Sequence, residues 1–126
     1  MFEEELFNYI KTNFTLAPCY FGEADSKQKS PYIVQYSLDT DNTRQVLCHD
    51  DDFTDGEAFI QWNIFCDSAE YAFYLKHQLM NFIASLKTLT NYRILLNNHE
   101  NSPSGTDLNT GLFVEIVARD FTYTKL

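Results

Sequence analysis

The sequence is poor in basic residues: nine Lys and Arg stand against eighteen Asp and Glu, a formal net charge of -9. A protein that tracks a phosphate backbone needs the opposite balance, so a general nucleic-acid-binding surface is not expected. Long apolar runs are missing as well. The longest, Tyr71 to Leu75, has five residues, against the roughly twenty that span a bilayer, and a soluble chain is expected. The start, Met1-Phe2-Glu3-Glu4-Glu5, is acidic where a secretory signal is basic, so export by that route is not indicated. Glycine is confined to the isolated Gly22, Gly56, Gly105 and Gly111, which excludes a glycine-rich loop that cradles phosphate. Cys19, Cys48 and Cys66 are odd in number and show no Cys-x-x-Cys spacing. That argues against a zinc knuckle or a dithiol motif and leaves reduced thiols as the default.

Aromatic residues are what the chain has in excess: eleven Phe, eight Tyr and one Trp, 16% of 126 residues. With 44% hydrophobic and 21% charged residues, the composition is that of one globular domain spanning residues 1–126.

Hydrophobic spacing divides the chain into elements. Phe2, Leu6, Tyr9, Ile10 and Phe14 recur at helical intervals, and Glu3, Glu4 and Glu5 fall in the first turn, where the helix dipole favours negative charge. Ala17 to Pro31 has no period and reads as a loop. Tyr32 to Leu38 is β-branched and aromatic and reads as a strand; a second strand around Thr43 to Cys48 makes a hairpin with it. From Glu57 to Cys66, Ile60, Trp62, Ile64 and Cys66 share one face, with Phe59, Gln61, Asn63 and Phe65 on the other. Asp67-Ser68-Ala69-Glu70 fits a capping box with Asp67 as cap. The helix that follows carries Ala72, Leu75, Leu79, Phe82 or Ile83, and Leu86 on one face. Tyr92 to Asn97 reads as a short strand, Asn98 to Gly111 as a solvated loop, and Leu112 to Tyr123 as a long strand. In that last strand Leu112, Val114, Ile116 and Ala118 share a face while Phe121 and Tyr123 fall on the other, which predicts a bulge near Ala118 or a change of neighbours. The expected fold is α+β: a mostly antiparallel sheet of about five strands in the order α-β-β-β-α-β-β, with two helices on one face.

The densest polar cluster, Cys48-His49-Asp50-Asp51-Asp52 with Asp55 and Glu57, offers oxygens to a hard cation. Its spacing is not that of an EF-hand, since Gly56 lies seventh from Asp50 and no Glu stands twelfth from any of these aspartates. An acidic solvated loop is the simpler reading and a weak calcium site the alternative. Cys48 and His49 are neighbours in a strand, where side chains point to opposite faces, so they do not make a nucleophile and base. His77 lies off the buried stripe of its helix and His99 in a polar loop, neither with an orienting partner. No catalytic residue, metal ligand or cofactor site is assigned. Charge is uneven, however: residues 39 to 57 hold seven acids and one base, Arg44, for a local charge of -6. Such a surface repels nucleic acid or meets a basic partner.

Three stretches carry a family resemblance: Ser30-Pro31-Tyr32-Ile33-Val34-Gln35-Tyr36 leading into the first strand; Ala58-Phe59-Ile60-Gln61-Trp62-Asn63-Ile64-Phe65-Cys66 running straight into the helix at Asp67-Ser68-Ala69-Glu70; and the strand Thr110-Gly111-Leu112-Phe113-Val114-Glu115-Ile116-Val117-Ala118-Arg119-Asp120-Phe121. With the N-terminal helix, they resemble the tail terminator or tail completion proteins of long-tailed bacteriophages over residues 1 to 123. The run Asp50-Asp51-Asp52 departs from the pattern. The resemblance implies a non-enzymatic virion protein without cofactor, a ring commonly of six subunits that caps the tail tube, stops its growth and meets the head-tail connector. Its partners would be further copies of itself, the tail tube protein and connector proteins, with DNA passing through the channel unbound. In such a ring Phe59, Phe65, Phe121 and Tyr123 are candidates for the subunit interface. Asp39, Asp41, Asp50, Asp51, Asp52 and Asp55 are candidates to face the channel or a partner. The alternatives are another head-tail connector or head-completion subunit, or a small α+β ligand-binding domain or enzyme with its pocket beneath the second helix.

Overall fold

A computed structural model describes residues 2–22, 29–38, 55–100, 105–106 and 111–126. The elements are α1 (Phe2–Asn13), β1 (Cys19–Phe21), β2 (Tyr32–Leu38), β3 (Asp55–Cys66), α2 (Ala69–Ala84), β4 (Tyr92–Glu100), β5 (Gly105–Thr106) and β6 (Phe113–Lys125). The fold is α+β and, among the described residues, has two helices on a six-stranded sheet rather than one of about five. The strands lie in the order β1-β2-β3-β6-β4, with β5 beside β6, and only β1 and β2 run parallel. The strand expected over Thr43 to Cys48 lies outside the described residues.

Two strands occur where loops are expected. β1 is three residues long, too short to show a period, and is tied to β2 by Ile33 N–H to the Pro18 carbonyl (2.9 Å) and Gly22 N–H to the Gln35 carbonyl (2.8 Å). Gly22 follows with φ +83, a backbone conformation glycine adopts without a Cβ penalty. β5, two residues in the polar loop, pairs with Val114 and Phe113. β4 runs on to Glu100, so His99 belongs to a strand and not to a loop.

α1 buries Phe2, Leu6 and Ile10, and Phe14 continues the stripe; Tyr9 is 38% exposed at its rim. α2 buries Ala72, Leu75, Leu79 and Ile83, with Phe82 half-buried against Phe14 and Tyr9. Its cap is Ser68 and not Asp67: the Ser68 hydroxyl accepts from the Tyr71 N–H at 3.3 Å, while the Asp67 N–H donates to Ser30 Oγ at 3.0 Å. With the cap one residue later, the orphan amide served is that of Tyr71 rather than that of Glu70.

Both helices cover one sheet face. From β3 that face presents Ala58, Ile60, Trp62, Ile64 and Cys66, as the alternation predicts. From β6 it presents Val117 and Phe121, and here the expectation is corrected. β6 pairs with β3 without interruption from Phe113 to Thr124, so no bulge lies near Ala118. The odd-numbered residues face the helices throughout, and two of them, Glu115 and Arg119, are polar. The register shift lies in the neighbouring β4, between Ile94 and Leu96. Val114, Ile116 and Ala118 therefore belong to the opposite face, with Tyr32, Val34, Phe59 and Phe65.

Candidate assembly surfaces

The four aromatic residues expected at a subunit interface divide. Phe121 is fully buried, edge-on to Trp62 and tilted against Phe2 at a centroid distance of 5.6 Å. It is a core residue and is withdrawn as an interface candidate. Tyr123 is half-buried: its ring stacks on Phe2 at 4.2 Å and meets Tyr92 edge-on at 5.3 Å. Under the same ring lies Gly56, where a Cβ would come within 2.6 Å of it. Tyr123 is thus committed to its own subunit, closing the end of the core where a glycine leaves room. Phe59 and Phe65 lie on the sheet face away from α1 and α2, half-buried, with Phe65 stacked on Tyr32 at 4.8 Å. Asp39, Asp41, Asp50, Asp51 and Asp52 lie outside the described residues. The backbone of Asp55 opens β3 opposite Thr124.

Two exposed apolar groups went unread in the sequence. On the outer side of α2, Tyr71 and Tyr74 stack at 5.8 Å, and Phe73 meets His77 edge-on at 4.4 Å. Phe73 is 54% exposed. Helical spacing alone was enough to find them, since residues three and four apart share a face. The second group sits at the sheet edges. Leu16 and Phe21 are exposed on the β1 side, with Phe21 edge-on to Phe7 at 5.4 Å; Leu95 and Leu96 are exposed on β4, where the bulge turns both outward. Among the described residues, β1 and β4 each have a strand on one side only.

Beside the β4 edge lies an open cavity of about 470 Å³. Leu86, Lys87, Thr88, Arg93, Leu95 and Asn97 line it. A tight reversal forms its wall: the Leu89 N–H reaches the Tyr92 carbonyl at 2.7 Å, the Ile94 N–H reaches the Lys87 carbonyl at 2.8 Å, and Thr88 bridges Arg93. Glu5 fastens the reversal from α1, accepting the Asn91 backbone N–H at 2.6 Å and its side-chain amide at 3.1 Å. Burial, then the charges of Glu5 and Glu3, push the neighbouring Tyr92 hydroxyl above its ordinary pKa.

Behind the cavity wall is Arg119, which is 7% exposed. Its guanidinium donates to the Asn97 carbonyl (3.3 Å), Asn97 Oδ1 (3.1 Å) and the Met80 carbonyl (3.5 Å), and its Nε has no partner. Among the described residues no carboxylate pairs with it, and burial pushes its pKa down. Glu115, on the same face of β6, is taken by Lys76 at 3.4 Å. Among the described residues no group of three or more His, Cys, Asp and Glu could hold a metal ion.

No protein-family model and no curated protein matches this sequence. Eleven solved chains match the fold. In one of them, whose name states no function, the likeness covers 99% of this chain and 90% of the other, with a TM-score of 0.60 and 14% identity. A likeness at that identity shows the shared fold alone.

Proposed function

We propose that the chain is a non-enzymatic subunit of a closed ring, a tail terminator or completion protein that caps a phage tail tube and forms part of the head-tail joint in the virion. The observation that carries this reading is the pair of unlike apolar edges, Leu16 and Phe21 beside β1 and Leu95 and Leu96 on β4. A ring is built by a heterologous contact, one patch of each subunit meeting a different patch of the next. Opposite edges of one sheet satisfy that requirement, and exposed edges left uncovered are otherwise a liability. The bulge in β4 makes the contact one of side chains rather than a continued ladder. With the edges used between subunits, the aromatic face of α2 and the sheet face with Phe59 and Phe65 remain for the tube protein and a head-side connector.

Light scattering with negative-stain imaging over a range of concentrations tests the reading. The expected species is a ring of six that falls apart in both Leu96→Glu and Phe21→Glu. A wild-type chain that stays monomeric at the highest concentration refutes it.

A further inference from the structure

The cavity beside β4 runs against the charge of the rest of the chain. Eighteen acids face nine bases in the sequence, yet among the described residues its lining holds Lys87 and Arg93 and no acid. Both cations are exposed, and among the described residues neither makes an ion pair. Asn97, also in the lining, adds a neutral donor. One hydrogen of its Nδ2 goes to the Ile83 carbonyl at 2.9 Å, which leaves the second for a ligand. Behind it the buried Arg119 donates to Asn97 Oδ1 at 3.1 Å. A cation on the amide oxygen polarises the whole group, so the remaining N–H is the stronger donor. Leu86, Ile94 and Leu95 make the apolar part of the lining.

We infer that this cavity is a binding site for a small organic acid, a carboxylate carried on a short apolar body. Size favours such a ligand over a bare inorganic ion: about 470 Å³ falls within the roughly 300 to 1,000 Å³ of small-molecule sites. The leucines and Ile94 give the body of the acid surface to bury, while Lys87, Arg93 and Asn97 take its charged end. Charge favours it over a polyanion. A nucleic acid extends past the cavity into the field of a chain of net charge -9 and is repelled, whereas a single carboxylate ends beside the two cations. The wall is formed in advance, because the Ile94 N–H holds the Lys87 carbonyl at 2.8 Å and Glu5 fastens Asn91 at the tip of the reversal. Little of the binding energy is then spent on ordering the backbone. The inference does not depend on the ring reading.

Titration calorimetry of the full chain with hexanoate, acetate and hexanol tests it. Hexanoate is expected to saturate one site per chain, at least about tenfold more tightly than acetate, which lacks the buried methylene groups, or hexanol, which lacks the charge. Lys87→Gln with Arg93→Gln should weaken hexanoate at least about tenfold. Lys11→Gln with Lys125→Gln, which removes as much charge from exposed positions outside the lining, should leave it unchanged. Leu95→Asn should cut the advantage of hexanoate over acetate. Trp62 emission and circular dichroism establish that each variant is folded. The inference fails if no saturable hexanoate binding occurs, if hexanol binds as tightly, or if both double variants lose equally, since net charge and not the cavity then governs. It fails too if a single-stranded oligonucleotide displaces hexanoate, because the cavity then serves phosphates.

Discussion

Gln35 offers the sharpest test of how the core is held. Its side chain is fully buried between α1 and the sheet. Its Oε1 accepts the Trp62 indole N–H at 2.9 Å, and its Nε2 donates to the Glu3 carbonyl at 3.2 Å. Replacing it in Gln35→Leu removes two hydrogen bonds, each worth about 1 kcal/mol net, and strands a buried indole N–H at a cost of about 1 to 3 kcal/mol. Burial of the leucine methyl groups returns about 1 kcal/mol. The expected loss is about 2 to 4 kcal/mol. For a domain of this size that is a fall in melting temperature of roughly 10 °C. Urea denaturation followed by emission of Trp62, the sole tryptophan, measures the single variant. A cycle with Trp62→Phe, followed by circular dichroism, isolates the pair. Since the double variant strands neither partner, the two single losses should exceed the double loss by about 1 kcal/mol or more. If the losses add to within about 0.3 kcal/mol, the indole N–H is not held by Gln35 and the reasoning is wrong.

Gly56→Ala should destabilise the subunit by about 1 to 3 kcal/mol, because the Tyr123 ring 2.6 Å from the new Cβ is wedged by Phe2 and Tyr92. Thermal melts should show part of that loss recovered when Tyr123→Leu is added. Phe73→Ser with Tyr74→Ser, both on the exposed face of α2, should leave stability within about 0.5 kcal/mol of wild type; under the proposed function, pull-down of a tail tube protein should fall. Burial pushes the Cys19 thiol from 9.0 up to about 11. The folded state thus favours the neutral thiol, and its contribution, whole below pH 9, is lost as pH rises toward 11. By linkage the loss is about 2 to 3 kcal/mol, and denaturation curves of Cys19→Ala should lack that part of the alkaline slope.

The sequence displayed the elements whose period is clean. The face of β3 with Trp62 and the stripe of α2 were legible because four or more apolar residues repeat at one interval. β6 misled because Glu115 and Arg119 interrupt its inward face, while Val114, Ile116 and Ala118 imitate a core face on the other side. Only the partners show why polar residues are tolerated there: Lys76 for Glu115, and the carbonyls of Asn97 and Met80 for Arg119. Ser68 took the cap from Asp67 by one residue, a difference that propensity does not resolve. Of the interface candidates, Phe121 was misplaced for the same reason as the β6 face. The basic cavity was invisible because Lys87, Arg93 and Arg119 are scattered along the chain and meet only through the reversal and the strand pairing.

The order of strands also sets when the domain can exist during synthesis. β6 is last in sequence yet lies between β3 and β4, and among the described residues β4 has no other strand beside it. Phe121 and Tyr123 from the same strand then close over Phe2 near the start of the chain. Until residues 113–125 have left the ribosome, β3, β4 and β5 lack the neighbour they share and the first helix lacks part of its floor. Contacts between the two ends of a chain are the slowest to form, and folding is delayed until they do. A copy that ended before residue 113 would therefore lack the strand that joins β3 to β4 and could not complete the sheet.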